Sequence, residues 1–305
     1  MNNKVYIDDI DVEEQYGIIV TSGSLPDLIT FPPLKNVSVV DWYEVDGVDA
    51  DLTDPQLGAR EVDISFICQN DYSHSELFAI LSDGAYHKFN FKTINQTYEL
   101  RLLSQSALNI YRNCTAFTLR FSDDKTDRQY STTAFQPKSD NTTGYILDGV
   151  DLASYGITIL RGTLNEVLKS PDVKPNIARN YSYLPGISYE GDNVRYKSKE
   201  VELSCLLLAN TTDEFWNLYN GLLNVLKSPG NRILEVDTNL YVEAKCYYNK
   251  CSSEIFQIGK NGVLWAFQLS LIFTDFNPSK DDVLLASEEG DIMISEDNYA
   301  IDLGI

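Results

Sequence analysis

The chain contains the stretch Arg60-Glu61-Val62-Asp63-Ile64-Ser65, and 139 residues later it contains Lys199-Glu200-Val201-Glu202-Leu203-Ser204. In both stretches apolar residues alternate with polar ones, and the alternation continues to Cys68 and to Leu207. Because successive side chains of a strand point to opposite faces, this period of two predicts a β-strand with one face in a core. The same strand is therefore expected twice, with Cys68 and Cys205 on its inward face as buried thiols.

The repetition extends to both sides of these strands at the same offset. Tyr16-Gly17-Ile18 corresponds to Tyr155-Gly156-Ile157, Lys35 to Lys174, and Asp46-Gly47 to Pro185-Gly186. A register that stays unchanged over about 45 residues indicates an internal duplication. We call the two halves copy 1 and copy 2.

Each copy has a helix signal after its central strand. Ser73 and Glu76 in copy 1, and Thr211 and Glu214 in copy 2, have the spacing of a capping box. Apolar residues at helical spacing follow both pairs, and Ser228-Pro229-Gly230 ends the second helix. Alternating strands come next in each copy, so we expect one helix among many strands in each half.

A stretch rich in Gly, Pro and Asp precedes each central strand, and it predicts a long β-hairpin arm that turns at Asp46-Gly47 or at Pro185-Gly186. The predicted fold class is mainly β, with two tandem β-sandwich domains that each carry one α-helix and one arm. The predicted boundaries are 1–122 for copy 1, 123–143 for a linker, 144–279 for copy 2 and 280–305 for an acidic C-terminal segment.

The charge is strongly negative: 24 Lys and Arg stand against 45 Asp and Glu, which makes the net charge −21. Residues 1–122 carry 8 basic and 18 acidic side chains, whereas residues 144–279 carry 12 and 15. Such a chain repels phosphate groups, so we expect no specific nucleic-acid binding. We also expect no membrane span, because no apolar run approaches the roughly 20 residues that a span needs, and no secretory signal, because the N-terminus lacks an apolar core.

Acidic residues crowd the arm of copy 1, while the acids in the matching part of copy 2 are only Glu190 and Asp192. One interpretation is a solvated turn. The other is that this arm, or the face beside it, helps to line an acidic channel along which DNA slides without binding. The six candidate channel or interface residues are Asp41, Glu44, Asp46, Asp49, Asp51 and Asp54.

Signals for catalysis and for metal binding are weak. The two histidines, His74 and His87, stand apart from any catalytic motif. Cys246 and Cys251 have the spacing of half a zinc site, but no second Cys or His pair accompanies them. We therefore expect no enzymatic activity, no metal site and no cofactor. The 19 tyrosines suit half-buried strands and interfaces, and a glycan-binding surface is the alternative.

The order of these pieces resembles the N-terminal domain of the distal tail (Dit-like) protein family of siphophages, once in each copy. In copy 2 the matching pieces are Leu147-Asp148-Gly149-Val150-Asp151, Tyr155-Gly156-Ile157, Pro185-Gly186, Arg195-Tyr196-Lys197-Ser198-Lys199-Glu200 and Phe273-Thr274-Asp275. Copy 1 matches less closely, because Asp46-Gly47 replaces the Pro-Gly turn and Gly58-Ala59-Arg60-Glu61 shortens the basic lead.

The resemblance implies a tail-tube-like β-sandwich that assembles into rings between the tail tube and the tip, in a virion assembled in the host cytoplasm. The implied partners are further copies of the chain, the tail tube protein, and tail-tip or tail-associated proteins. Because each chain holds two such domains, three chains would supply six positions, so we expect a trimer with pseudo-sixfold symmetry in preference to a hexamer in which only one domain lines the channel. A duplicated tail tube protein and a carbohydrate-binding adhesin module for host recognition are the alternative functions.

The C-terminal segment, residues 280–305, combines acidic side chains with apolar ones that a solvated tail would not need. We expect two short strands there, whose exposed edges suit docking on another subunit or tail protein by strand addition. The candidate partner-docking residues are Ile292, Ile294, Tyr299, Ile301 and Leu303.

Overall fold

A computed structural model describes residues 4–69, 74–138, 142–176, 178–189, 194–237, 241–260 and 262–275. Ser73 of the first capping box, the two acids Glu190 and Asp192, and the whole C-terminal segment with its candidate docking residues lie outside these ranges.

The fold is mainly β, as predicted, and it contains two large antiparallel sheets of seven strands each. The elements of the first half are β1 (Val5–Ile7), β2 (Ile10–Asp11), α1 (Val12–Tyr16), β3 (Ile18–Val20), α2 (Leu25–Ile29), β4 (Ser38–Val40), β5 (Asp49–Asp51), β6 (Arg60–Gln69), α3 (His74–Leu81), β7 (Tyr86–Phe91), β8 (Gln96–Ile110) and β9 (Cys114–Asp123). Those of the second half are β10 (Tyr145–Leu147), β11 (Val150–Asp151), β12 (Ile157–Ile159), α4 (Thr163–Leu168), β13 (Ala178–Arg179), β14 (Ser188–Tyr189), β15 (Lys199–Ala209), α5 (Thr212–Leu226), β16 (Arg232–Asp237), β17 (Tyr241–Gly259) and β18 (Gly262–Asp275).

The two sheets have the same strand order. The first runs β2-β1-β7-β8-β9-β6-β3, and the second runs β11-β10-β16-β17-β18-β15-β12. Each strand of one sheet therefore has a counterpart at the same place in the other. A two-stranded hairpin stands apart from each sheet, formed by β4 with β5 and by β13 with β14.

The central strands β6 and β15 bury the faces that the alternation predicts. Val62, Ile64, Val201 and Leu203 are completely buried, and the intervening polar residues face outward or lie half-buried. Cys205 is also on the inward face, where burial raises the pKa of its thiol. The predicted inward faces of both strands are confirmed.

The second predicted helix is α5, and its capping box is confirmed. The Thr211 hydroxyl accepts a hydrogen bond from the Glu214 amide at 3.1 Å, and the Glu214 carboxylate accepts one from the Asn210 amide at 2.8 Å. These bonds satisfy amides that the first turn of a helix leaves without partners. The first predicted helix is α3, which begins at His74 and ends at Leu81.

Three further helices, α1, α2 and α4, were not predicted. Each has only five or six residues, which is too short to show a helical period in the sequence. The repeated Tyr-Gly pair has its explanation here, because Gly17 and Gly156 end a short helical segment in the left-handed conformation, with φ of 58° and 69°.

A basic residue at the start of each central strand caps the C-terminus of a short helix that lies earlier in the chain, α2 in copy 1 and α4 in copy 2. The Arg60 guanidinium donates to the carbonyl of Leu28 at 2.8 Å, and the Lys199 ammonium donates to the carbonyl of Val167 at 2.6 Å. Both cations thus satisfy free carbonyls at a helix C-terminus. Arg60 also pairs with the buried carboxylate of Asp123 at 3.0 Å.

The segment after β9, within the predicted linker, packs against α5. The Asn220 side chain accepts from the Tyr130 amide at 3.1 Å, and the Asn217 side chain accepts from the Gln136 amide at 2.9 Å. Gly221 leaves space for the segment, since a Cβ there would lie 2.3 Å from the Phe135 ring. The buried apolar residues of both halves form one continuous cluster.

Within the described ranges, no helix combines the length and the apolar character needed to cross a membrane.

His87 lies between two carboxylates at one end of the first sheet. Its Nδ1 is 2.6 Å from the Asp8 carboxylate and its Nε2 is 3.1 Å from the Asp83 carboxylate, while its side chain is 7% exposed. Burial lowers the pKa of His87, but the two carboxylates raise it by more, so the pKa lies above its ordinary value. The imidazolium form therefore stabilises this corner of the fold.

We predict that Asn220→Leu destabilises the chain by about 1–3 kcal/mol, because the buried Tyr130 amide loses its acceptor. The control is Asn224→Leu, one turn further along α5 at an exposed position, which should change the free energy of unfolding by no more than about 0.5 kcal/mol. Urea unfolding followed by fluorescence measures both values. Equal effects of the two substitutions would contradict the role given to Asn220.

We also predict a pH dependence that depends on His87. Since the pKa of His87 is raised in the folded state, its stabilisation is complete below about pH 6.5, the pKa of an unfolded histidine, and is lost as pH rises through the folded pKa. The difference in unfolding free energy between the unsubstituted chain and His87→Gln should shrink over this range. Asn224→Leu, which removes no titratable group from an exposed position, is the control and should leave the pH dependence of the unfolding free energy unchanged.

Candidate assembly interface

The described residues contain no group of three or more His, Cys, Asp or Glu side chains that could hold a metal ion. All five cysteines are free. Burial raises the pKa of Cys246 and of Cys251 to about 12 each. The contacts that matter most instead lie where the two copies meet.

Arm 1 comprises residues 33–58 and contains the β4–β5 hairpin; arm 2 comprises residues 172–197 and contains the β13–β14 hairpin. The base of arm 1 is closed by a hydrogen bond from the Gly58 amide to the Pro33 carbonyl, and the base of arm 2 by one from the Lys197 amide to the Asp172 carbonyl. Both predicted arms are therefore present, and arm 1 reaches across to copy 2.

Lys174 lies beneath the tip of arm 1. Its ammonium donates to the backbone carbonyls of Trp42, Val45 and Gly47 at 2.7–2.8 Å, and to the carboxylate of Asp41. The Lys174 side chain is only 3% exposed. A buried ammonium needs acceptors in place of water, and here every acceptor found comes from the other copy.

The turn of arm 1 is bound by backbone contacts. The Gly47 amide donates to the Tyr196 carbonyl, and the Val48 amide donates to the Thr274 carbonyl, both at 2.8 Å. Gly47 has a φ of +70°, and a Cβ at this position would fall 1.7 Å from the Thr274 carbonyl oxygen. Only glycine fits this close approach.

The side chain of Asp46 also binds the turn of arm 1 to copy 2. The carboxylate is 3% exposed, accepts a hydrogen bond from the Tyr196 amide at 2.9 Å and lies 3.9 Å from the Arg195 guanidinium. The acidic tip of arm 1 thus meets a basic surface on copy 2, which consists of Lys174 and Arg195.

The base of arm 1 covers the free edge of β17. Strand β16 pairs with β17 only as far as Cys246, so the edge beyond has no partner among the described strands. There the Leu34 amide donates to the Asn249 carbonyl at 2.9 Å, and the Tyr248 hydroxyl donates to the Pro32 carbonyl at 2.9 Å. An uncovered strand edge invites other chains, and here the same chain covers it.

Apolar packing continues this contact into the core. Phe31 is 1% exposed, and its ring centroid lies 4.4 Å from that of Tyr219 and 5.1 Å from that of Trp265. The indole of Trp216 on α5 donates to the Ile94 carbonyl of copy 1 at 2.7 Å. Aromatic side chains of copy 2 therefore contact copy 1 at two separate places, at Phe31 and at Ile94.

The six acids named from the sequence have different surroundings. Asp41 and Asp46 contact the basic residues of copy 2, which favours an interface over a channel for these two. The other four stay on arm 1 itself: Asp49 accepts from the Trp42 indole, Asp51 from Thr53, Asp54 from Gln56, and Glu44 is exposed. A channel role for these four stays a prediction.

Sequence reasoning did not identify Lys174, Arg195 and Tyr196 as the residues that receive arm 1. The available signal was the lysine shared by the two copies, at Lys35 and Lys174. Its meaning could not be inferred, because the acceptors of Lys174 are carbonyl groups more than 125 residues away, and carbonyl groups leave no trace in the residue types.

Exposed aromatic residues gather on the arms. On arm 1, Trp42 is 53% exposed and Tyr43 71%; on arm 2, Tyr183 is 76% exposed and its ring centroid lies 5.4 Å from that of Tyr181. Such residues are typical of protein interfaces and also of sugar-binding surfaces.

No family model matches the chain, and no curated protein matches it. Among solved structures, the chain is similar to the crystal structure of the SPP1 Dit (gp 19.1) protein, described as a paradigm of the hub adsorption apparatus in Gram-positive infecting phages. The TM-score is 0.29 and the sequence identity 13%, over 89% of this chain and 98% of that chain.

We predict that Lys174→Met releases the tip of arm 1, because four oxygens lose their donor. The free energy of unfolding should fall by about 1–3 kcal/mol, and the Gly47 and Val48 amides should exchange with solvent faster. Lys197→Met, at an exposed position on arm 2, is the matched control and should leave both amides protected. Unchanged exchange at Gly47 in Lys174→Met would contradict this assignment.

Proposed function

We propose that the chain is a structural protein of a phage tail tip or baseplate, which forms a ring between the tail tube and the tip. The observation that carries the proposal is the contact between the two copies, which share one sheet topology. The tip of arm 1 binds a surface of copy 2 that is not the tip of arm 2, so the contact joins two unlike surfaces. Such a head-to-tail contact, repeated from chain to chain, produces closed rings when the rotation closes.

The duplication bears on the number of chains. Each chain supplies two equivalent positions around the ring axis, so three chains supply six. We propose a trimer with pseudo-sixfold symmetry, in preference to a hexamer in which only one copy lines the channel.

The charge supports a passage for DNA through the ring. The net charge is −21, and Glu44, Asp49 and Asp54 of arm 1 are exposed. Like charge prevents the release of counterions that drives DNA binding, so the genome would slide without adhering. The role is structural and requires neither a catalytic group nor a cofactor.

The proposed partners are further copies of the chain, the tail tube protein above the ring, and tail-tip or tail-associated proteins below it. The C-terminal segment, residues 280–305, is the proposed docking element for these tail proteins. The proposed location is the virion, in its tail.

Two other functions fit particular observations. A duplicated tail tube protein would use the same head-to-tail contact and would also stack its rings into tubes. A carbohydrate-binding adhesin module is favoured by the exposed aromatic residues of the arms, among them Tyr43 and Tyr183.

Native mass spectrometry and negative-stain imaging of the purified chain test the proposal. We expect single rings of three chains; rings of six would replace the trimer while keeping the function. Open-ended tubes would favour the tail tube protein, and a chain that stays monomeric at high concentration would overturn ring formation. Glycan-array binding by a monomer would favour the adhesin. Measurable binding of duplex DNA at physiological salt would contradict the non-adhering channel.

A further inference from the structure

We propose that arm 2 of one chain docks on copy 1 of a neighbouring chain of the same protein. The docking site is the surface around Lys35, which we call the Lys35 socket; it corresponds to the surface around Lys174 in copy 2, the Lys174 socket. Arm 2 would repeat there the contact that arm 1 makes with copy 2. The inference rests on the proposed function in one respect, since both require head-to-tail assembly. It adds the surface, the residues and the rule that selects the partner.

Lys35 occupies in copy 1 the place that Lys174 occupies in copy 2. The Lys35 amide donates to the Gln56 carbonyl at 2.8 Å, and the Lys174 amide donates to the Arg195 carbonyl at 2.7 Å. The neighbouring backbone contacts also agree at the 139-residue offset: they are the bridges Leu34–Leu57 and Val173–Tyr196. The two sockets are therefore built on the same backbone.

The two lysines differ in what they bind. The Lys174 ammonium is buried under four oxygens of arm 1. Lys35 is exposed, and within the described part of the chain its ammonium makes no hydrogen bond or ion pair. The socket of copy 1 is thus formed, and no described residue of either arm binds the Lys35 ammonium.

Among the described residues, none pairs with the strand edge beside the Lys35 socket. Strand β7 pairs with β8 only as far as Arg101. Beyond it, β8 has a register shift between Leu102 and Ser104, as β17 has between Tyr248 and Lys250. Leu103 of copy 1 therefore takes the place of Asn249, whose carbonyl the base of arm 1 binds.

Apolar side chains continue along this edge. Leu103 is 41% exposed, Leu108 46% and Ile110 78%. Natural sheets cover such an edge or place charges on it, because unpaired strand groups and exposed apolar residues promote association. The base of arm 2 would cover this edge as the base of arm 1 covers β17.

Arm 2 has the backbone conformation for this contact, and the described residues of its own chain leave open space around its turn. Gly186 has a φ of +80°, close to the +70° of its counterpart Gly47. A Cβ at Gly186 would meet no atom within 4 Å, whereas one at Gly47 would strike the Thr274 carbonyl. By the offset, the carbonyls that face Lys35 would be those of Tyr181, Leu184 and Gly186.

The tip of arm 2 also carries exposed apolar residues. Leu184 is 54% exposed and Ile187 is 63% exposed. Ile187 corresponds to Val48, which is half-buried against copy 2 in the contact already formed. Docking would remove the apolar surface of Leu184 and Ile187 from water, which favours association.

Charge selects which arm fits which socket. Arm 1 places Asp46 near Arg195, whereas arm 2 has Pro185 at the position of Asp46, and copy 1 has Gln56 at the position of Arg195. The acidic tip thus matches the more basic socket, and the uncharged tip matches the socket without the arginine. This arrangement disfavours arm 1 in a Lys35 socket and makes the two copies alternate around the assembly.

Two variants of the full chain test the proposal by complementation. Lys35→Glu disables the socket, because it replaces the ammonium with a carboxylate. The double substitution Leu184→Asp with Ile187→Asp disables arm 2, because it places two charges on the apolar tip. Each variant alone should associate at least about tenfold more weakly than the unsubstituted chain, because docking would bury an unpaired charge. Mixed in equal amounts, the two should form a dimer and nothing larger, since only one intact arm and one intact socket remain. Lys88→Glu, an exposed charge reversal elsewhere, should assemble normally.

Sedimentation velocity measures the assembly, and hydrogen exchange measures the contact directly. In the assembled chain the Gly186 and Ile187 amides should be protected, and Lys35→Glu should remove this protection while circular dichroism stays unchanged. Rings that persist in both variants with unprotected Gly186 would overturn this inference and leave the proposed ring intact. A monomeric unsubstituted chain would overturn both. Two variants that fail to combine, although each is folded, would overturn the head-to-tail arrangement.

Discussion

The ammonium of Lys174, buried beneath the tip of arm 1, is the contact on which the arrangement of the two copies depends. A lysine taken out of water must find acceptors, and it finds them in carbonyl groups that arm 1 offers only when its turn is in place. The turn itself requires Gly47, which passes against Thr274. The position of one charge therefore fixes the path of a hairpin.

Around this contact, segments of copy 1 and of the linker pack into the core of copy 2, whereas tandem domains usually keep separate cores. Residues 123–138 lie along α5, and Phe31 of copy 1 packs among the aromatic residues of copy 2. The Trp216 indole binds the carbonyl of Ile94. The interface is consequently an extension of the core, and we expect the two halves to keep one fixed orientation.

The unequal charge of the arms has a structural meaning in this arrangement. Asp41 and Asp46 are neutralised by the basic residues of copy 2, so the acidity of arm 1 is in part the complement of its socket. Arm 2 pairs with no basic surface among the described residues of its own chain, and its tip is uncharged and apolar. Two arms of one ancestry thus differ in the surfaces they suit, and charge complementarity gives such surfaces their specificity.

The sequence by itself determined the repeated strand, the inward faces of β6 and β15, the α5 capping box and the two arms, because period, caps and turns are local properties of the chain. Only the tertiary structure decided that arm 1 lies on copy 2, and that Lys174 rather than Lys35 is buried. Those contacts join backbone carbonyls to a side chain across more than 125 residues. Residue types carry no record of such pairs, since every residue has a carbonyl and only the fold selects which ones meet.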